Sequence, residues 1–186
     1  QETPGIEWYA NVRAEYVLKH GVKFFQKAFE AGCRSLTIGF EGGSKDVLLR
    51  INKGITQDII LKSNKILSKT AIAPHYSGIV GYPFENPNDI NETFKLSYQL
   101  LKDNSLARVS LNKLIPTPGS QILQECIKSG FKKPSTLEEW ANIFYIDATE
   151  WMKDETIKYL QKNIAFYELV SMVNKGSKWH NNIFNF

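Results

Sequence analysis

Apolar and polar positions change period repeatedly along this chain, and the changes mark its elements. Glu7 to Val12 reads as a strand closed by Arg13. Val17, Leu18, Val22, Phe25, Ala28 and Phe29 then fall at helical spacing over residues 15–31, and Gly32 is a helix stop. Ser35 to Phe40 predicts a second strand, and Asp46 to Ile51 a short helix broken by Gly54. Thr56 is an N-cap from which Ile59, Ile60, Asn64, Ile66 and Leu67 carry a helix onward. Ile72 to Val80 predicts a third strand ended by Gly81-Tyr82-Pro83. Asn86 before Pro87 opens the next helix, with Ile90, Phe94, Leu96, Tyr98, Leu100 and Leu101 along it. Ala107 to Ile115 predicts a fourth strand, closed by Pro116-Thr117-Pro118-Gly119. Helices follow over Ser120–Ser129, Leu137–Phe144 and Asp154–Val173, the last two rich in aromatics. The tail from Lys175 to Phe186 has little pattern.

Strands that alternate with helices predict an α/β fold whose sheet is parallel with right-handed crossovers. A closed eight-fold barrel takes about 250 residues. Four βα units are therefore a partial parallel (β/α) barrel, carried by residues 1–130, with a helical C-terminal extension over residues 131–186. At least one sheet edge is expected to be open and to meet sequence outside this chain. The opening Gln1-Glu2-Thr3-Pro4-Gly5, without an initiator methionine, predicts a piece of a longer protein.

Composition narrows the partners. The 186 residues carry a formal charge of +4, and hydrophobic residues are 42% of the chain. The lysines are scattered, with no basic run interleaved with aromatics, which argues against nucleic acid as a partner. No apolar stretch approaches the ~20 residues that span a bilayer, so no membrane span is expected. The two cysteines, Cys33 and Cys126, lie far apart, so no disulfide framework is expected and a reducing, cytoplasmic setting fits. Neither has a partner at metal-ligand spacing, nor do His20, His75 and His180. Trp140 and Trp151 read as core or interface residues.

In parallel α/β sheets ligands sit at the carboxyl ends of the strands. Four segments converge there: Arg13, then Glu41-Gly42-Gly43-Ser44, then Gly81-Tyr82-Pro83-Phe84-Glu85, then Pro116-Thr117-Pro118-Gly119. A carboxylate such as Glu41 can accept two hydrogen bonds, which suits a ribose diol, and Gly42 and Gly43 let a ligand approach the backbone. Gly81 and Pro83 set a tight turn beneath a planar or apolar group. Lys53 can meet a carboxylate or phosphate. Each has a purely structural alternative: Glu41 or Glu85 as a charge at a helix N-terminus, Lys53 as a solvated lysine, Arg13 as a pin for loop carbonyls.

These residues carry a resemblance. Three ordered stretches, AGCRSLTIGFEGGSKDVLLRINKGIT, GIVGYPFENPNDINETFKLSYQLL and IPTPGSQIL, resemble the radical S-adenosylmethionine enzymes over about residues 6–125. They are most similar to the subclass that often has an upstream cobalamin-binding domain, such as anaerobic magnesium-protoporphyrin monomethyl ester cyclases. The resemblance implies the last four units of a (β/α)6 core. It implies an enzyme whose whole chain uses S-adenosylmethionine and a [4Fe-4S] cluster, and in some relatives cobalamin, to make a 5′-deoxyadenosyl radical or transfer a methyl group to an organic substrate. By the same resemblance Glu41 and Ser77 would line the ribose, and Gly42 would be a cofactor-binding position next to Glu41. Lys53 would face the methionyl carboxylate, Ile79 and Gly81 would lie at the adenine, and Pro83 would be a cofactor-binding position in the turn that follows.

The departures from the family pattern have consequences. The Cys-x3-Cys-x2-Cys motif that binds the cluster is absent, as is the motif that holds the methionyl amine. Phe84 stands for the usual glycine, Asn86 for threonine and Gly42 for serine. Without three thiolates nothing soft holds a cluster, so the chain by itself is expected to be inert and to need the N-terminal part of its own barrel. Two other readings stay open. One is a methylthiotransferase-like relative acting on RNA or protein, which would more usually show Gln-Ser-Gly-Ser and Met-x-Arg here. The other is a non-catalytic α/β module that binds a nucleotide or a partner.

Overall fold

The computed structural model describes residues 5–143 and 152–173. Four strands, β1 (Trp8–Asn11), β2 (Cys33–Glu41), β3 (Ala73–Val80) and β4 (Arg108–Lys113), form one sheet in the order β1-β2-β3-β4. Every neighbouring pair is parallel. The crossovers carry α1 (Ala14–Glu30), α2 (Lys45–Arg50) with α3 (Gln57–Leu67), and α4 (Pro87–Asp103). After β4 come α5 (Ile122–Lys128), α6 (Leu137–Ala141) and α7 (Asp154–Val173). This is the expected α/β fold, with four parallel strands and their helices.

The alternation of strand residues sets two unlike faces. Leu36, Ile38 and Phe40 of β2, Tyr76 and Val80 of β3, and Val109 and Leu111 of β4 are buried against the helices. Packing there is tight: a Cβ on Gly78 would lie 2.5 Å from the Phe40 ring and 2.7 Å from Leu111. The opposite face is polar. Register puts Asn11, Thr37, His75 and Arg108 in one row and Gly39, Ser77 and Ser110 in the next. The His75 ring Nε2 meets Ser110 Oγ at 2.9 Å on that face. Burial and the nearby Arg108 lower the His75 pKa.

Caps explain where the helices begin. Thr56 accepts from the Ile59 N–H, and Asn86 forms a capping box with Asp89 ahead of Pro87. Helix α1 departs from the expectation of one continuous helix, because Gly21 breaks it at φ 67°. Two boundaries move inward: β4 is shorter than Ala107–Ile115, and α6 ends at Ala141. Phe144, Trp151, His180, the opening residues 1–4 and the tail lie outside the described residues.

The two outer strands differ in their surroundings. Strand β1 is exposed along most of its length, with Tyr9 78% accessible. Strand β4 is packed by α7, whose Leu160 and Tyr167 join the main core. The Tyr167 hydroxyl donates to the Phe94 carbonyl at 2.7 Å, and the two rings stack. A second, smaller core of Val47, Tyr82, Leu114, Leu123, Cys126 and Phe131 sits over the carboxyl ends of β3 and β4. It is this second core that shapes the ligand edge. Among the described residues no helix is long and apolar enough to cross a membrane.

Candidate functional site

Strand β2 ends in an irregularity. Its pairing to β3 shifts between Gly39 and Glu41, and Glu41 takes φ 62°, the left-handed region that a long side chain rarely adopts. Such a conformation costs on the order of 1–3 kcal/mol and persists only where its surroundings impose it. The surroundings here are an ion pair and a locked turn. Lys53 Nζ donates to Glu41 Oε1 at 2.7 Å, with the two side chains 25% and 22% exposed. The pair lies across Gly39, where a Cβ would come within 2.6 Å of Glu41 Oε1 and 3.3 Å of Lys53 Nζ. Among the described residues Lys53 is the hydrogen-bond partner of Glu41, so Oε2 keeps its acceptor capacity.

The glycine turn is held from α4. Gly43 donates its N–H to Thr93 Oγ1 at 2.8 Å, and Gln57 Nε2 donates to the Gly43 carbonyl. A Cβ on Gly43 would collide with the Glu92 carbonyl, so the missing side chain serves the approach of α4. Ser44 both caps α2 and donates to Asp89 Oδ1 at 2.5 Å. The cap of α2 is thus Ser44, which removes capping as the role of Glu41. Arg13 is the structural pin that sequence left open: it pairs with Glu15 at 2.7 Å and donates to the Lys53 carbonyl at 3.3 Å.

The turn after β3 has its own anchor. Glu85 Oε2 accepts from the N–H groups of Gly81 at 2.5 Å and Tyr82 at 2.9 Å, while Oε1 is buried without a hydrogen-bond partner among the described residues. Burial raises the Glu85 pKa to about 7, despite the two N–H donors that favour its charged form. Burial also raises the Tyr82 phenol well above its ordinary value, with Glu41 and Glu85 adding to the shift. Gly81 takes φ +92° and meets Met152, so neither its conformation nor its space admits a side chain. The α4 cap is the Asn86–Asp89 box, so Glu85 is the anchor of the Gly81–Tyr82 turn rather than a cap.

Between the α2 end and the α5 start lies an apolar groove of about 660 Å³. Ile79, Leu114 and Ile115 line it together with Tyr82, Phe84 and Arg50. Ser77 stands on the polar face of the sheet, level with Gly39 by register. The structure therefore brings Glu41, Lys53 and Gly42 together at the β2 end, and Ile79, Gly81 and Pro83 at the β3 end. Sequence reasoning missed Arg50, Thr93 and Gln57. Arg50 sits 4.1 Å over the Phe84 ring centroid, and only the substitution of Phe84 for glycine hinted at it.

The residues fit the adenosyl part of S-adenosylmethionine. A carboxylate with an open oxygen suits a diol, and an apolar groove of this size accepts a purine. They do not fit an iron-sulfur cluster. The two cysteines of the chain cannot supply three thiolates, and each is buried, in a different core. Burial raises the Cys126 pKa to about 11 and also raises that of Cys33, against the thiolate form a cluster needs.

The chain is 28% identical over 126 residues to bacteriochlorophyllide d C-12(1)-methyltransferase of Chlorobaculum tepidum, covering 65% of the chain and 25% of that protein. It is 24% identical over 169 residues to an uncharacterized methyltransferase of Pyrococcus horikoshii, covering 90% of the chain and 35% of that protein. The chain thus spans about a quarter to a third of these relatives. Its fold is similar to that of the archaeal Methanocaldococcus infernus Elp3 with an N-terminal deletion. The TM-score is 0.53 at 17% identity over 75% of this chain and 32% of that one. The family model that matches is that of the Radical SAM superfamily, over residues 12–97, from just after β1 into α4.

Proposed function

We propose that this chain is the adenosyl-holding part of a radical S-adenosylmethionine enzyme. The observation that carries the reading is the Lys53–Glu41 pair at the carboxyl end of β2, on the same sheet edge as the residues after β3 and β4 that line the apolar groove. Glu41 accepts from the ribose hydroxyls through its open oxygen, with Gly42 and Ser77 beside the sugar. Lys53 holds Glu41 in place and faces the methionyl carboxylate. Ile79, with the Gly81–Pro83 turn that Glu85 anchors, packs on the adenine.

The cluster belongs to other residues of the whole protein, in the N-terminal part of its barrel. There S-adenosylmethionine supplies either a 5′-deoxyadenosyl radical or a methyl group to an organic substrate, in some relatives with cobalamin from an upstream domain. The methyltransferase names of the two sequence relatives support the transfer branch. We assign the oxidoreductase or transferase activity to the whole protein, in the cytoplasm, and inactivity to this chain alone. Within the chain we divide a core of residues 1–130 from an extension of residues 131–186, whose α7 covers β4.

Titration of the chain with S-adenosylhomocysteine in a calorimeter tests the reading. Saturable binding is expected. A folded chain that gives no binding heat contradicts it.

A further inference from the structure

The groove has one wall that departs from the family pattern. Tyr82 and Phe84 stack with ring centroids 5.4 Å apart and planes 16° from parallel. The Arg50 guanidinium lies 4.1 Å over the Phe84 centroid, and all three residues line the groove. Arg50 closes α2, the short helix that leads from the glycine turn toward Lys53. Its guanidinium is otherwise free: among the described residues no hydrogen bond or ion pair engages it.

A guanidinium is planar and carries five N–H donors in a fixed fork, and stacking on an aromatic face leaves those donors in the plane. The Phe84 contact thus positions the Arg50 guanidinium without using a donor. An arginine held over an aromatic ring in this way, at the wall of a groove that otherwise offers mostly apolar surface, is placed to read acceptors at the edge of a flat ligand. Adenine presents such acceptors as ring nitrogens. An exposed arginine with no stacking partner would lose more rotamer freedom on making the same bond.

We propose that Arg50 is a specificity-determining donor to a ring nitrogen of the adenine, and that Phe84 is the positioning residue that holds it in place. This rests on the adenosyl reading of the groove and adds to it a residue that reads the base. Ile79 and Ile115 supply apolar contact that any planar ring satisfies. Arg50 makes the contact depend on where the nitrogens lie.

The test uses the whole 186-residue chain, with adenosine and its 1-deaza, 3-deaza and 7-deaza analogues as probes in competition calorimetry. One analogue is expected to bind about tenfold weaker than adenosine, the loss of one charge-assisted hydrogen bond at a partly wet site. Arg50→Met keeps the apolar stem and should erase that difference. Phe84→Leu should shrink it, and Phe84→Tyr should restore it, which a purely structural role for Phe84 does not predict. Adenosine binding that persists with the same analogue preference in Arg50→Met overturns the inference and leaves the groove reading intact. A folded wild-type chain that does not bind adenosine overturns both.

Discussion

Lys53 Nζ lies 2.7 Å from Glu41 Oε1, and the pair rests on the bare backbone of Gly39. Twelve residues separate the partners, and the glycine turn, α2 and the Lys53–Gly54 break bring them back together. Half-buried pairs of this kind contribute modestly to stability. Here the pair also sets where one carboxylate oxygen points and leaves the other open.

The left-handed backbone at Glu41 predicts a conflict between stability and binding. Glu41→Gly relieves a φ of 62°, worth about 1 kcal/mol, and loses a partly exposed ion pair of about the same size or less. Urea unfolding should therefore show Glu41→Gly as stable as the wild type or slightly more so, while adenosyl ligand binding falls. A loss well beyond 1 kcal/mol would mean that the residue is structural.

The close approach of α4 predicts the cost of filling the glycine turn. Gly43→Ala sets a methyl group against the Glu92 carbonyl, where backbone rather than a flexible side chain must yield. Overpacking of this kind costs about 1–3 kcal/mol. Thermal melts should show it, and an unchanged melting temperature would remove the clamp.

Glu85 predicts a pH dependence. Its folded carboxyl keeps a proton up to about pH 7, while an unfolded one, with an ordinary value of 4.5, has released it. Between those values the folded state binds more protons, so stability falls as pH rises through the window and levels off above it. The expected fall is about 1–3 kcal/mol. Urea melts at pH 5 and pH 8 measure it, and Glu85→Gln should flatten the difference. A wild type more stable at pH 8 than at pH 5 would contradict the assignment.

Thiol count predicts the outcome of anaerobic reconstitution with iron and sulfide. Two separated, buried cysteines give no stable [4Fe-4S] absorbance in this chain. A stable cluster signal would refute the division of labour between this chain and the rest of its barrel.

The βα rhythm was legible because each strand is a short apolar run and each helix carries its own cap, as at Thr56 and Asn86. The chemistry at Glu41 was legible from one acid followed by two glycines at a strand end. What that glycine turn touches was not legible, because Thr93 and Gln57 reach it from 50 and 14 residues away. The break at Gly21 was hidden because the apolar spacing of α1 continues across it. The Arg50–Phe84 stack was hidden for a similar reason, since nothing local in KDVLLR distinguishes a stacked arginine from a solvated one.

The central claim is that Glu41 holds the ribose of S-adenosylmethionine. Calorimetry on the whole protein with its cluster assembled, comparing wild type with Glu41→Ala, tests it most directly. The expected affinity is weaker by about 1–3 kcal/mol, the cost of leaving buried hydroxyls unpaired. Unchanged affinity would contradict it.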